Sequence, residues 1–556
     1  MNVYKLMAGA SGFFIFLGMA SAAGAAGVVG NGSPASCTEA AFNAALNGGG
    51  NVTFNCGGAP KTIVLTSYKQ IGANTVIDGA GLITLSGGNT TSHFQVFSGK
   101  SLTLKSITLK DGKGVFTSAG AVENFGALAL ENAHVDGNTG KPNGQGGAIY
   151  NSGSMTALNS SISSNTLTGA QGGGIFNQGS LTLNNSIVAG NVITNPSSAV
   201  NVAGAGIYNT GDVVIRGGAI QNNRALFVQY NSQGGGIYSE GGSLTIDNAL
   251  VADNYAYSAG GIQTYNSLAV YHASRFTGNA SELTGGAIGH TGNKNLTMYD
   301  SLIANNTANL GGGMYVGNGS TVTISRTRIS ANTATFAAGI RSYKGDLRIY
   351  QSLFDGNRAA RSDGFPAQAG AIGNRGFAEI VNTTFSGNIA DEAGAILNEN
   401  ISGESTADMY LTNVTMAFNR ADAIGGIVSK FAAHTHMANT MIANSLNTAG
   451  NAPSDNCLLV ILFDNGGNLS SDASGCLIAS GYTNTDPQLG PLMNNGGNTL
   501  THMPAPGSIA INNGNNAYCP AKDQRNAARP VSGVCDIGAV EFGAKLPQMY
   551  LSFVGK

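Results

Sequence analysis

Charged side chains that could do chemistry gather in one stretch of this 556-residue chain, of which only 10% is charged. Arg341, Arg348, Arg358, Arg361 and Arg375 run just ahead of Asp391, Glu392, Glu399 and Asp422. Clustered acids able to ligate calcium, with an arginine base among basic neighbours, would equip a lyase acting on an acidic polysaccharide. Hydrolysis of a glycosidic bond would instead need two carboxylates flanking it on one face. Asn484-Thr-Asp486 offers one such acid, but no Asp-Asp pair follows it. Without strict register between the rungs, these residues read as solvated surface charge. His434-Thr-His436 sets two imidazoles on one strand face, and neither Asp nor Glu adjoins them in sequence to complete a metal site. No catalytic residue, metal or cofactor is assigned, and the balance leans away from an enzyme.

A second set of residues suits contact better than catalysis. Tyr150, Phe176, Tyr208, Tyr238 and Tyr315 each follow an aliphatic residue that recurs along the chain. If those aliphatic residues point inward, the aromatic neighbours point outward at one register. Such a stripe could stack on sugar rings, with Ser, Thr and Asn beside it to hydrogen-bond. The rings could equally stack on one another, or lie under the loops at 192–202 and 225–233.

The elements that must position these residues repeat. The aliphatic markers are Val122, Ile149, Ile175, Ile207, Ile237, Ile262, Ile288, Met314, Ile340, Ile372, Ile396 and Ile427, spaced 24 to 32 residues apart. A period in that range signals stacked structural units. Within each unit apolar residues alternate, as in Leu181-Thr-Leu183 and Val322-Thr-Ile324, which reads as strand. Glycine pairs and Asn-Gly steps supply the turns. No ten-residue helical stripe interrupts the array. Three short strands and three turns per unit make an all-β fold, a right-handed parallel β-helix. At about 4.8 Å per rung, twelve rungs span roughly 55–60 Å. Nearly every copy closes on Asn: 138, 165, 191, 223, 254, 279, 306, 332, 357, 388, 419 and 444. The expectation is an inward ladder of amides, since buried turn backbone needs such partners.

The two ends differ from the array. Residues 1–26 carry Lys5, an apolar run at 6–19 and a small-residue stretch, as an export signal does, with cleavage expected after Ala23 or Ala26. Ser36 or Thr38 can cap a short helix whose Ala41, Phe42, Ala45 and Leu46 would cover the first rungs. Six cysteines form three local pairs, Cys37 with Cys56, Cys457 with Cys476 and Cys519 with Cys535, which would close the ends of the rod as disulfides. The chain divides into a signal at 1–26, a cap and first rungs at 27–110, the array at 111–450, final rungs and a terminal module at 451–542, and a tail at 543–556. A net charge of −2 offers no basic patch for nucleic acid, and no further apolar stretch would span a bilayer.

The segments Asp486-Pro-Gln-Leu-Gly-Pro-Leu, Asn495-Gly-Gly-Asn-Thr-Leu-Thr-His502 and Cys535-Asp-Ile-Gly-Ala-Val-Glu-Phe542 resemble the terminal signature of the choice-of-anchor Q family of bacterial surface proteins. Cys37-Thr-Glu-Ala-Ala and Gly48-Gly-Gly-Asn-Val-Thr-Phe-Asn-Cys56 resemble its opening, and the array resembles polymorphic outer membrane protein repeats. The resemblance implies a signal peptide, a β-helix and this module, and it carries no catalytic residues. The expectation is an exported monomer of the cell surface, extracellular space or periplasm, adhesin-like or glycan-binding. The alternative is a lyase or hydrolase of an acidic polysaccharide.

Overall fold

The computed structural model describes residues 27–546 except 116, 117, 195–200, 227–231, 362–365, 401–406, 474 and 477. Residues 1–26, read above as an export signal, and most of the tail at 543–556 lie outside the described residues. The chain winds into a right-handed parallel β-helix of about sixteen turns. Each rung presents three main strands, several rungs adding a short fourth such as Thr166–Thr168, and every face pairs in parallel with the rungs above and below. All twelve aliphatic markers stand opposite one another along one face. All are fully buried. The second face holds five-residue strands such as Ser180–Asn184 and Asp212–Arg216, whose alternate residues Leu181, Leu183, Val213 and Ile215 fill the core. The third carries three-residue strands such as Ile187–Ala189.

Turn chemistry explains the composition. Between the second and third faces the chain passes through a left-handed residue, and asparagine often takes it: Asn132, Asn159, Asn185, Asn248, Asn382, Asn413 and Asn439 all have φ near +50°. Asparagine tolerates this region better than most non-glycine residues. The turn before the marker uses glycine where crowding is worst. At Gly311 φ is +69°, and a Cβ there would lie 2.2 Å from the Met314 carbonyl.

The expected amide ladder is present, with one correction. From Asn138 to Asn419 each Nδ2 donates to the next Asn Oδ1 at 2.9–3.0 Å. Asn444 does not join it. Met441 and Ile442 are adjacent aliphatic residues, and it is Ile442 that pairs with Met416, the residue three before Asn419. Ser445 therefore occupies the ladder register, and Asn444 takes the left-handed position before it, with φ +55°. A second column, Asn124, Asn151, Asn177 and Asn209, runs two residues after the markers with Nδ2 to Oδ1 distances of 2.6–2.7 Å.

At the N-terminal end Thr38 caps the helix Glu39–Leu46, accepting from the Ala41 amide at 3.2 Å. Phe42 stacks on Phe54 and is fully buried. The cap is pinned by Cys37–Cys56. The other two disulfides also join neighbours, Cys457–Cys476 and Cys519–Cys535. Such bonds persist in an oxidising compartment. No described helix is long and apolar enough to cross a membrane.

The terminal module does not close the end of the rod. It folds back along the flank, against the turns between the second and third faces. Gln351 and Asn382 donate to the carbonyls of Asp523 and Lys522, both at 2.7 Å, and Asn413 to that of Asp536 at 3.0 Å. Asn439 donates to Asn515 O, while Asn498 donates to Asp300 at 2.5 Å. Cys519–Cys535 thus staples a flank, contrary to the expectation of three end staples.

Candidate functional site

The aromatic row assembles as the register requires, and then uses up its own faces. Tyr150, Phe176, Tyr208 and Tyr238 pair on successive rungs. Their rings stack with centroids 5.1–5.6 Å apart and planes within 9° of parallel. Phe125 leans on Tyr150 from the other side. Phe176 is only 2% exposed. The faces are therefore taken up within the stack, and two of the hydroxyls are held: Tyr150 donates to Gln178 at 2.8 Å and Tyr208 to Glu240 at 3.0 Å. Burial with the neighbouring Glu240 raises Tyr208, and burial pushes Tyr238 up to about 12. A sugar ring cannot slip between these rings.

The row breaks at Gln263 and Gly289 and resumes at Tyr315, which pairs in register with Arg341 and through it with Gly373. Tyr315 thus stands apart from the four-ring stack, beside a cavity of about 360 Å³ lined by Leu310, Tyr315, Phe336, Arg341, Tyr343 and Arg375. Leu310 and Phe336 come from the turn four residues before the marker, where neighbouring rungs place Thr284 and Gln368. Tyr343 and Arg375 stand opposite each other on the marker face. The Arg341 guanidinium lies over the Phe336 ring, 4.2 Å from its centroid, and Arg375 lies 5.6 Å from the same ring. Glu399, 4% exposed, takes Arg375 at 2.6 Å. Arg341 is also 4% exposed, but its Nη1 stands 3.9 Å from Glu399 and has no hydrogen-bond partner among the described residues. Burial, reinforced by Arg375, pushes Arg341 down to about 10.

Of the charged residues singled out by sequence, Arg341, Arg375 and Glu399 come together. The others are engaged elsewhere: Arg361 with Asp391 at 2.6 Å, Arg348 with Asp346 at 2.9 Å, Glu392 with Lys430, and Asp422 with Thr448. Arg358 lies on the small turn strand beside Thr333. Sequence reading missed Phe336 and Tyr343. The signal for Phe336 was available: a large apolar residue at a turn register that is mostly polar in other rungs.

The histidine pair has a carboxylate after all, supplied by the adjacent rung rather than by sequence neighbours. His434 bonds Asp408 at 2.9 Å, while His436 stacks between Tyr410 and Phe463. Among the described residues no group of three or more His, Cys, Asp or Glu is placed to hold a metal. Asp486 accepts from the Gln488 amide in a tight turn that opens the module. The module's charges pair internally: Arg525 with Asp523 at 2.7 Å and Arg529 with Glu541 at 3.1 Å, all four no more than 5% exposed. The same carboxylates also accept from turn amides of the module, Asp523 from Arg525 and Ala527 and Glu541 from Val531.

Residues 203–390 match the family model for a right handed beta helix region. No curated protein matches the chain. The crystal structure of pectate lyase Pel9A aligns over 90% of this chain and 90% of its own at 14% identity, with a TM-score of 0.22. A score that low carries no argument about site or activity. What the comparisons add is local: the stretch holding Tyr208, Tyr238, Tyr315, Arg341 and Arg375 is a right-handed β-helix region.

Proposed function

We propose that this protein is an exported, non-catalytic β-helix that binds glycans at the bacterial surface or in the extracellular space, in the manner of an adhesin. The observation that carries the reading is the cavity at Tyr315, where aromatic walls and guanidinium donors meet. Its volume falls in the roughly 300–1,000 Å³ range of small-ligand sites. The three disulfides fit passage through an oxidising compartment, and the terminal module's likeness to the choice-of-anchor Q signature fits a surface address. Tyr150, Phe176, Tyr208 and Tyr238 then form the floor that holds the face rigid, with hydroxyl edges as secondary contacts. A glycan array probed with the protein should show retention. Tyr315→Ala should abolish it, whereas Tyr208→Ala should lower thermal stability and leave retention in place. Absence of retention on every glycan would end the proposal.

Cleavage of an acidic polysaccharide is the second reading. What favours it is the geometry: buried Arg341 lines a sugar-sized space beside the Arg375–Glu399 pair. New reducing or unsaturated ends after incubation with pectin, alginate or glycosaminoglycans would replace the first reading with this one.

A further inference from the structure

Two guanidiniums and one carboxylate meet at this cavity, leaving an excess of one positive charge in a wall that is otherwise aromatic and aliphatic. Glu399 spends its short contacts on Arg375. Arg341 remains 4% exposed, and its Nη1 lacks a hydrogen bond among the described residues. A buried charge without a hydrogen-bonded partner is costly to the fold, so its place at the edge of an open cavity needs a reason beyond packing. The backbone keeps the space clear. At Gly373 a Cβ would sit 2.4 Å from the Phe336 ring and 3.2 Å from Arg341 Nη1. Glycine there lets the ring and the guanidinium lie flat against the rung.

We propose that this cavity is a carboxylate-binding subsite for an acidic sugar residue, in which Arg341 and Arg375 hold the carboxylate and Tyr315, Tyr343 and Phe336 enclose the ring. The inference rests on the glycan-binding reading above and names the class of sugar. A guanidinium is planar and presents its donors as a fork matched to a carboxylate. Arg341 lies over Phe336, which leaves its edge as the direction for an anion. A single net positive charge suits a monoanion, and the tyrosine walls suit the apolar side of a pyranose.

The test is calorimetric titration of the full protein with a tetramer of galacturonate, its carboxyl-reduced neutral counterpart, sialyllactose and a sulfated heparin tetramer. Charge-assisted hydrogen bonds of this kind confer roughly a tenfold to hundredfold preference, so one carboxylated probe should bind tighter than the neutral tetramer by that factor. The first and third probes tell a uronate from a sialic-type acid. Arg341→Met should erase the preference without lowering the melting temperature, because it removes a buried guanidinium whose Nη1 has no hydrogen bond among the described residues. Arg341→Lys, which keeps charge but not the fork, should retain only part of it. Equal binding of neutral and carboxylated probes, or a preference for the sulfated one, would overturn the subsite while leaving glycan binding intact. Binding of none of the four, together with an empty array, would sink both. An Arg341→Met protein that melts earlier would show the arginine to be structural, and that too would overturn the proposal.

Discussion

A buried asparagine has two donors and a carbonyl to satisfy, and stacking one upon another satisfies them with its own kind. Asn279 shows the arithmetic. Its Nδ2 donates to Asn306 Oδ1 at 3.0 Å and to the Val251 carbonyl at 2.9 Å, while its Oδ1 accepts from both the side chain and the backbone amide of Asn254. Truncation to alanine would strip hydrogen bonds from groups on the rungs either side, the Val251 carbonyl and the Asn254 amides on one and Asn306 Oδ1 on the other, in a site closed to water. Each such group costs about 1–3 kcal/mol, so Asn279→Ala should destabilise the protein by several kcal/mol in urea unfolding. Asn444→Ala should be far milder, because that residue sits outside the ladder. Equal losses at the two positions would mean that stacked amides are not what stabilises the turn. The column was readable from the repeat because one residue type recurs at one spacing. Its last member was misassigned because Met441 and Ile442 offer two equally apolar residues from which to count.

At the scale of elements, register turns a sequence repeat into rows, and the rows behave as units. The marker row could be read from sequence because burial demands an aliphatic residue on every rung. The row after it is free to vary, and there sequence could say which residues align but not how much of each ring remains open. Stacking at 5.1–5.6 Å consumes the faces, a fact of ring orientation rather than of spacing. The cavity was legible only in part, since Phe336 reaches it from a neighbouring turn and not from the row. The stack has a consequence in alkali. Tyrosine ionises near 10 in the unfolded chain, and burial holds Tyr238 back to about 12 in the fold. The stability this gives is complete below pH 10 and is lost as pH rises towards 12, because the unfolded chain loses its proton first. Melting temperature should therefore fall over that window. Tyr238→Phe, which has no proton to lose, should show a shallower fall. Parallel profiles for the two proteins would mean that the ring ionises freely.

At the scale of the molecule, a β-helix is nearly one-dimensional, and each rung touches only its neighbours. The terminal module breaks that rule. It links rungs from Asp300 to Asn439 by bonding a row of turn side chains that already stand in register. Sequence disclosed the module's cysteines and charges but not its place, because Arg529 and Asn382 are 147 residues apart and no repeat connects them. Arg529 is the residue that ties the module to itself and to the rod: it pairs with Glu541, donates to Gly538 O and reaches Asn382 Oδ1 at 3.0 Å. Replacing it with methionine leaves Glu541 buried without its cation, a loss of about 3–5 kcal/mol for pairs of this kind. If the module braces only the rungs it touches, Arg529→Met should speed amide hydrogen exchange from Asp300 onward and leave the rungs between Ile149 and Ile262 as protected as before. Uniform acceleration along the whole rod would show instead that the helix opens as a single unit, with the module acting as its final lock.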